Sequence, residues 1–348
     1  MKKRAFWIVI FGFAGFLIAC KKEDQIKQTV SGFLGFQKPA NFPEPEYKLT
    51  NNKITEAGFI LGRSLFYEPR LSRNNTISCG SCHIQSSAFT QHGHDVSHGI
   101  DDRLGTRNSP PIMNLAWNKA FMWGGGVFDL DLQPIVPITT HEEMDESLEN
   151  VMAKLKGVAK YPAMFKAAFG TEDIITARFM KSLSQFMLMC ISANSRYDRV
   201  IRKEGAAFTA DEQAGYELFK SKCSSCHSEP LFTDNGFRNN GLAPSAINDV
   251  GLYTATLQQT DKYKFKVPSL RNLSYTAPYM HDGRFLTLDA VFDHYISGIQ
   301  QTPNLDPILQ KDGKLGITLS AGDRAKLTAF LKTLDDIDFV TRKDLSEQ

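Results

Sequence analysis

The sequence predicts a mainly α protein in two domains, with long loops and few short strands. Three observations predict it. The 348-residue chain is long enough for two domains of about 150 residues. Capped helical patterns recur along it, while alternating apolar and polar runs are scarce. A pentapeptide of the form Cys-x-x-Cys-His occurs once in each half. Composition agrees, with 42% hydrophobic and 22% charged residues. These ordinary globular values exclude a mainly disordered, collagenous or polytopic membrane chain. The formal charge is +2, from 40 basic and 38 acidic residues. No Lys/Arg-rich run with interleaved aromatics is present, so nucleic acid is not an expected partner.

The elements follow in chain order. Met1-Lys2-Lys3-Arg4 leads into an apolar stretch from Ala5 to Ala19. A charged start and a short apolar run describe a secretory signal, too short for a good transmembrane helix. The run Leu17-Ile18-Ala19-Cys20 resembles the bacterial lipobox, which implies a lipoprotein signal peptide over 1–19 and lipidation at Cys20. Residues 20–47, polar and carrying Pro39, Pro43 and Pro45, read as a tether. A short helix is expected from Thr55 to Phe66, ahead of the first pentapeptide. Residues 172–200 form the longest helical candidate and are expected to bridge the halves. Thr209 with Glu212 three residues on is a capping-box pattern, and Tyr216, Phe219 and Lys220 follow at helical spacing. Ser320 to Leu334 is an amphipathic closing helix, with Leu327, Phe330, Leu331 and Leu334 apolar. The expected domains are 48–205 and 206–348.

The six cysteines are too few for a disulfide-dense scaffold. Four of them form Cys79-Gly80-Ser81-Cys82-His83 and Cys223-Ser224-Ser225-Cys226-His227. Cys-x-x-Cys-His is the attachment signature of c-type haem. Two thiols add to the two vinyl groups of one porphyrin, and the adjacent His turns its imidazole onto the iron. A four-cysteine zinc site or redox dithiols would use the same pairs, but neither needs a His after each. Each domain is therefore expected to carry one covalent c-type haem. Cys190, in the apolar run Phe186-Met187-Leu188-Met189-Cys190-Ile191, reads as a buried, inert thiol. A helix leading into the pentapeptide, with a closing helix across it, resembles a cytochrome c domain.

Between and beyond the two motifs the sequence resembles bacterial di-haem cytochrome c peroxidases and their MauG-like relatives, from about Ile60 to Leu334. The segments carrying the resemblance include Phe66-Tyr67-Glu68-Pro69-Arg70-Leu71-Ser72, Gly105-Thr106-Arg107-Asn108-Ser109-Pro110 and Phe121-Met122-Trp123-Gly124-Gly125. In the second half they are Lys266-Val267-Pro268-Ser269-Leu270-Arg271-Asn272 and Thr276-Ala277-Pro278-Tyr279-Met280-His281-Asp282-Gly283.

The resemblance implies that the first haem, with His83 proximal, handles peroxide, and that the second, with His227 proximal, passes electrons. Trp123, Gln133 and Glu143 fall at successive steps of ten and match the family's bridging Trp, distal Gln and distal Glu. Breaking the O–O bond of peroxide needs a proton moved from the inner to the outer oxygen. A nearby carboxylate can accept and return that proton, and a Gln amide can orient peroxide or water. His98 matches a His that ligates the first haem at rest, with His92 and His94 as competitors. The sixth ligand of the second haem departs from the peroxidase pattern. Tyr295 stands where a Met is typical, as in MauG-like proteins, with Met280 and His294 as alternatives. Asn108, Thr276 and Pro278 match the positions that hold a calcium ion between the haems.

The leading expectation is an exported, lipid-anchored di-haem cytochrome c peroxidase on the periplasmic side of a bacterial envelope. It would reduce hydrogen peroxide to water with electrons from a small cytochrome c or cupredoxin, entering at the second haem and crossing by Trp123. The partners implied also include a second copy of the chain in a homodimer. The alternative is a MauG-like oxidase acting on a protein or other organic substrate; Tyr295 favours it, while His98 and the ordinary peroxidase motifs oppose it. A third class is a non-catalytic two-haem electron carrier.

Overall fold

In a computed structural model, residues 32–311 and 313–348 are described. The expected signal peptide over 1–19, the expected lipidation site Cys20 and the start of the expected tether lie outside them. Among the described residues no helix is long and apolar enough to cross a membrane. The chain is built from short α- and 3-10 helices joined by long loops, with two small antiparallel ladders. One ladder pairs Phe237–Arg238 with Phe265–Lys266, and the other pairs Gln310–Lys311 with Lys314–Leu315.

The two halves repeat one packing device. In the first, the helix Glu56–Phe66 starts at Thr55, whose side chain accepts from the Gly58 N–H at 3.0 Å. It buries Phe59, Leu61, Leu65 and Phe66 against the helix Thr176–Met189. Backbones meet at Gly62, where a Cβ would stand 1.9 Å from the Ser182 carbonyl oxygen. In the second half the helix Ala210–Lys222 crosses the helix Ala321–Lys332 in the same manner. A Cβ at Gly215 would stand 2.0 Å from the Lys326 carbonyl oxygen. Glycine is needed at both crossings because no side chain fits between the two backbones. The expected capping box at Thr209 and Glu212 is present, and Ser320 with Asp323 forms a second. The crossings support two apolar clusters. One holds Phe59, Phe66, Phe89, Tyr161, Phe165 and Phe186; the other holds Tyr197, Phe219, Phe232, Leu327 and Phe330.

Three features differ from the sequence expectation. The candidate helix over 172–200 is broken. It ends at Met189, runs extended through Asn194, and restarts as Arg196–Ile201. The extended piece is held by Ser192 N–H to Asn114 Oδ1 at 2.9 Å and by Asn114 Nδ2 to the Ser192 carbonyl at 2.9 Å. Ser195 then caps the new helix with Asp198. Short polar side chains favour caps over helix interiors, and here they carry the chain from one cluster to the other. Second, the later part of the expected tether, from Phe33 on, packs on the body. Phe42 is buried, edge-on to Trp117 at 4.9 Å, and the Tyr47 hydroxyl donates to Asp131 at 2.8 Å. Aromatic residues scattered in a polar segment drive this burial. Third, packing does not divide at residue 205. Tyr197 belongs to the second cluster, while Phe339, Val340 and Leu345 return to the first.

A buried ion pair ties these parts together. Arg271 donates from Nη1 and Nη2 to the two Asp198 carboxylate oxygens, each at 2.8 Å, and both side chains are 0% exposed. The guanidinium also faces the rings of Phe42, Tyr197 and Phe232.

Candidate haem cavities and the seam between them

Each Cys-x-x-Cys-His motif opens on its own cavity. The first encloses about 320 Å³ and is lined by Cys79, Cys82 and His83. The second encloses about 230 Å³ and is lined by Cys223, Cys226 and His227. None of these four cysteines is in a disulfide. Burial pushes Cys79 up to about 12, Cys82 to about 11 and Cys223 to about 12, and raises Cys226 as well. The pairs face separate cavities. Among the described residues no group of three or more His, Cys, Asp or Glu could hold a metal ion. The four-cysteine zinc alternative therefore loses its geometry.

The two histidines are prepared as ligands in the same way. The Nδ1 of His83 lies 2.8 Å from the Phe89 carbonyl oxygen. That of His227 lies 3.1 Å from the carbonyl oxygens of both Phe232 and Pro268. A carbonyl only accepts, so Nδ1 carries the hydrogen and Nε2 keeps its lone pair, the tautomer that binds a metal. Burial lowers the pKa of both rings, which keeps them neutral. Thiol pairs, an oriented imidazole and an apolar cavity at each motif suit a covalently attached haem.

The sequence-predicted residues of the first site converge. His98, Trp123, Gln133 and Glu143 all line the first cavity with His83. Glu143 is raised above its ordinary carboxylate value, chiefly by burial and secondarily by Glu142. Its backbone is clamped, with the Ile100 N–H donating to its carbonyl at 2.8 Å and its own N–H donating to Thr140 at 3.1 Å. The Gln133 amide reaches Met122 Sδ at 3.6 Å. His98 Nε2 lies 3.1 Å from His94 Nδ1, so the two rings share one hydrogen. His92 bonds instead to Ser87 Oγ at 3.1 Å and does not line the cavity.

Trp123 lines both cavities, and its indole N–H donates to the Asn108 carbonyl at 2.8 Å. Asn108 also lines both, and Thr276 and Pro278 line the second. The Asn108 amide nitrogen donates to the carbonyls of Asp95 at 3.0 Å and His94 at 3.3 Å. Its Oδ1 is left as an oxygen donor.

At the second site Tyr295 and Met280 both line the cavity with His227. His294 does not line it. Its Nε2 is taken by the Asn240 carbonyl at 3.0 Å. Burial raises the Tyr295 phenol to about 12, against a lowering by the Asn240 amide. An anionic oxygen donor here must give up that proton on ligation. Asn240 also reaches Met280 Sδ at 3.6 Å. This residue sits between the two ligand candidates and carries no sequence signal that singles it out.

Two cavities, each with a thiol pair and an oriented imidazole, joined by a shared tryptophan, define a two-haem c-type oxidoreductase. Comparison with known proteins agrees. Residues 56–206 match the family described as di-haem cytochrome c peroxidase. Over 310 residues the chain is 36% identical to the methylamine utilization protein MauG of Methylorubrum extorquens, covering 86% of this chain and 83% of that one. It is 32% identical over 285 residues to cytochrome c551 peroxidase of Nitrosomonas europaea, covering 80% of each. A solved structure of a MauG-like protein associated with microbial copper homeostasis superposes with a TM-score of 0.81 at 33% identity. The match covers 90% of this chain and 98% of that one. The chain belongs to the di-haem cytochrome c peroxidase and MauG family.

Proposed function

We propose that the chain is a periplasmic, lipid-anchored di-haem enzyme that uses hydrogen peroxide to oxidise a protein or other organic substrate and shares the oxidising equivalents between its two haem sites, in the MauG manner. The observation that carries this reading is Tyr295, half-buried and lining the second cavity with His227. A phenolate is a hard anionic donor that favours oxidised iron. Such a haem is harder for a small cytochrome to reduce, and better suited to holding oxidising equivalents. The similarity to MauG and to a MauG-like structure supports it.

When bound, the haems supply the redox iron that takes up the two oxidising equivalents of peroxide. Glu143 accepts the proton of the inner peroxide oxygen and returns it to the outer one. The Gln133 amide orients peroxide or the leaving water. Trp123 offers a π-system at the seam for electron passage. His98, which lines the first cavity and lies 3.1 Å from His94 Nδ1, would be the candidate resting ligand of the first haem, a feature that belongs to the peroxidase reading. Asn108, Thr276 and Pro278 present oxygen donors for a calcium ion, which hard oxygens suit. Cys20 carries the lipid.

Met280, which lines the same cavity as Tyr295, favours a second reading, a cytochrome c peroxidase with electrons delivered by a small cytochrome c or cupredoxin. Peroxide consumption is measured with and without reduced cytochrome c, before and after one-electron reduction. Turnover sustained by a protein or other organic electron donor in place of the cytochrome, with no Met–iron charge-transfer band, supports the MauG-like reading. Cytochrome-dependent turnover switched on by prior reduction refutes it in favour of the peroxidase.

A further inference from the structure

Haem carries two propionates, and a carboxylate enclosed in protein needs a cation or a set of donors to offset its lost hydration. Apart from histidines, the cations lining the two cavities are Arg107, Lys222, Arg238 and Lys266. Arg107 is spent on Asp249, with Nε at 2.7 Å and Nη2 at 2.8 Å. Arg238 is shared between Asp234 at 2.6 Å and Asp306 at 2.8 Å. Lys222 is exposed at the rim.

Lys266 differs from all three, because it lines both cavities. Among the described residues its ammonium has no hydrogen-bond acceptor and no carboxylate within ion-pair distance. The nearest acidic influence on it is Asp234, which already serves Arg238. Burial pushes the ammonium down to about 8. Lys266 is half-buried, and a cation drawn out of bulk water without a partner is better satisfied when a ligand supplies the anion. Its backbone is rigidly set. The Lys266 N–H donates to the Trp123 carbonyl at 2.8 Å, and the residue pairs with Phe237 in the short ladder. Lys266 and Trp123 thus share the seam between the two cavities.

We propose that Lys266 is the counter-cation for haem propionates at this seam, where it positions the carboxylate edges of the cofactors and raises the reduction potential of both irons. It acts through the propionates and is a positioning residue. The inference rests on the two-haem assignment, not on the choice between the MauG-like and peroxidase readings.

The test is a spectroelectrochemical titration of both haems in the wild-type protein, Lys266→Met and Lys266→Arg. Pyridine haemochrome analysis first establishes two haems per chain in each, which separates loss of cofactor from loss of charge. If Lys266→Met does not retain haem, Lys266→Gln replaces it, since it keeps a donor and lacks the charge. Removing one cation near both irons favours their oxidised states. At an effective dielectric near 20 the ferric-to-ferrous equilibrium shifts by about tenfold for each. Both midpoint potentials should fall in the neutral variant and stay near wild type in Lys266→Arg. The propionate-bending bands in resonance Raman should move in the neutral variant alone. Unchanged potentials in a two-haem neutral variant overturn the proposal. So does a shift confined to one haem, or an equal shift in Lys266→Arg, which would mark a packing role.

Discussion

Glu143→Gln separates proton transfer from binding at the first cavity. The substitution keeps side-chain size and hydrogen-bonding capacity, and the backbone bonds to Ile100 and Thr140 are untouched. The amide therefore keeps the carboxylate's place in the first cavity, which Gln133 also lines. What disappears is the exchangeable proton. Positioned acid/base groups contribute about 100- to 10,000-fold, which corresponds to roughly 3–5.5 kcal/mol of barrier. Peroxide consumption by the variant, normalised to haem content, should fall within that range. The pH profile adds an independent check. Burial penalises the carboxylate, and Glu142 adds repulsion, so Glu143 titrates above its ordinary value. The group must be ionised to accept a proton. Wild-type activity should therefore fall as pH drops through this raised pKa, and that acid limb should be absent from the variant. A variant with normal haem spectra that keeps more than about half of the wild-type rate would refute the assignment.

Three further outcomes follow from the geometry. Tyr295→Phe deletes the donor oxygen and should change the Soret band and potential of the second haem, whereas Met280→Leu should leave them as they are; the reverse pattern moves the ligand to Met280. Asp198→Ala leaves the Arg271 guanidinium buried without its carboxylate and should cost about 3–5 kcal/mol in denaturant unfolding, with much of that recovered on adding Arg271→Met; a loss below about 1 kcal/mol contradicts a buried, unscreened pair. Gly62→Ala forces a methyl against the Ser182 carbonyl and should destabilise by about 1–3 kcal/mol, read as a lowered thermal midpoint; an unchanged midpoint means the helix crossing is looser than the structure places it.

Local chemistry was legible in the sequence. The Cys-x-x-Cys-His spacing is a property of five consecutive residues, because one porphyrin edge and one iron must be reached from a single turn. The capping boxes at Thr209 with Glu212 and at Ser320 with Asp323 are equally local, since the side chain answers an N–H three residues on. The resemblance to a family named Trp123, Gln133 and Glu143 together, but no periodicity joins them. They meet only because the loops between them fold around the first cavity. Tertiary structure also decided what no pattern carried. It broke the 172–200 helix where Asn114 claims Ser192, and it turned His294 away toward the Asn240 carbonyl. It folded Phe42 beneath Arg271 and brought Lys266 alongside Trp123 at the seam. Each of these is a contact between residues far apart in the chain, made through side chains whose partners lie in loops. Helix and strand periods report only on neighbours a few residues away, so such pairings appear only when the backbone has closed.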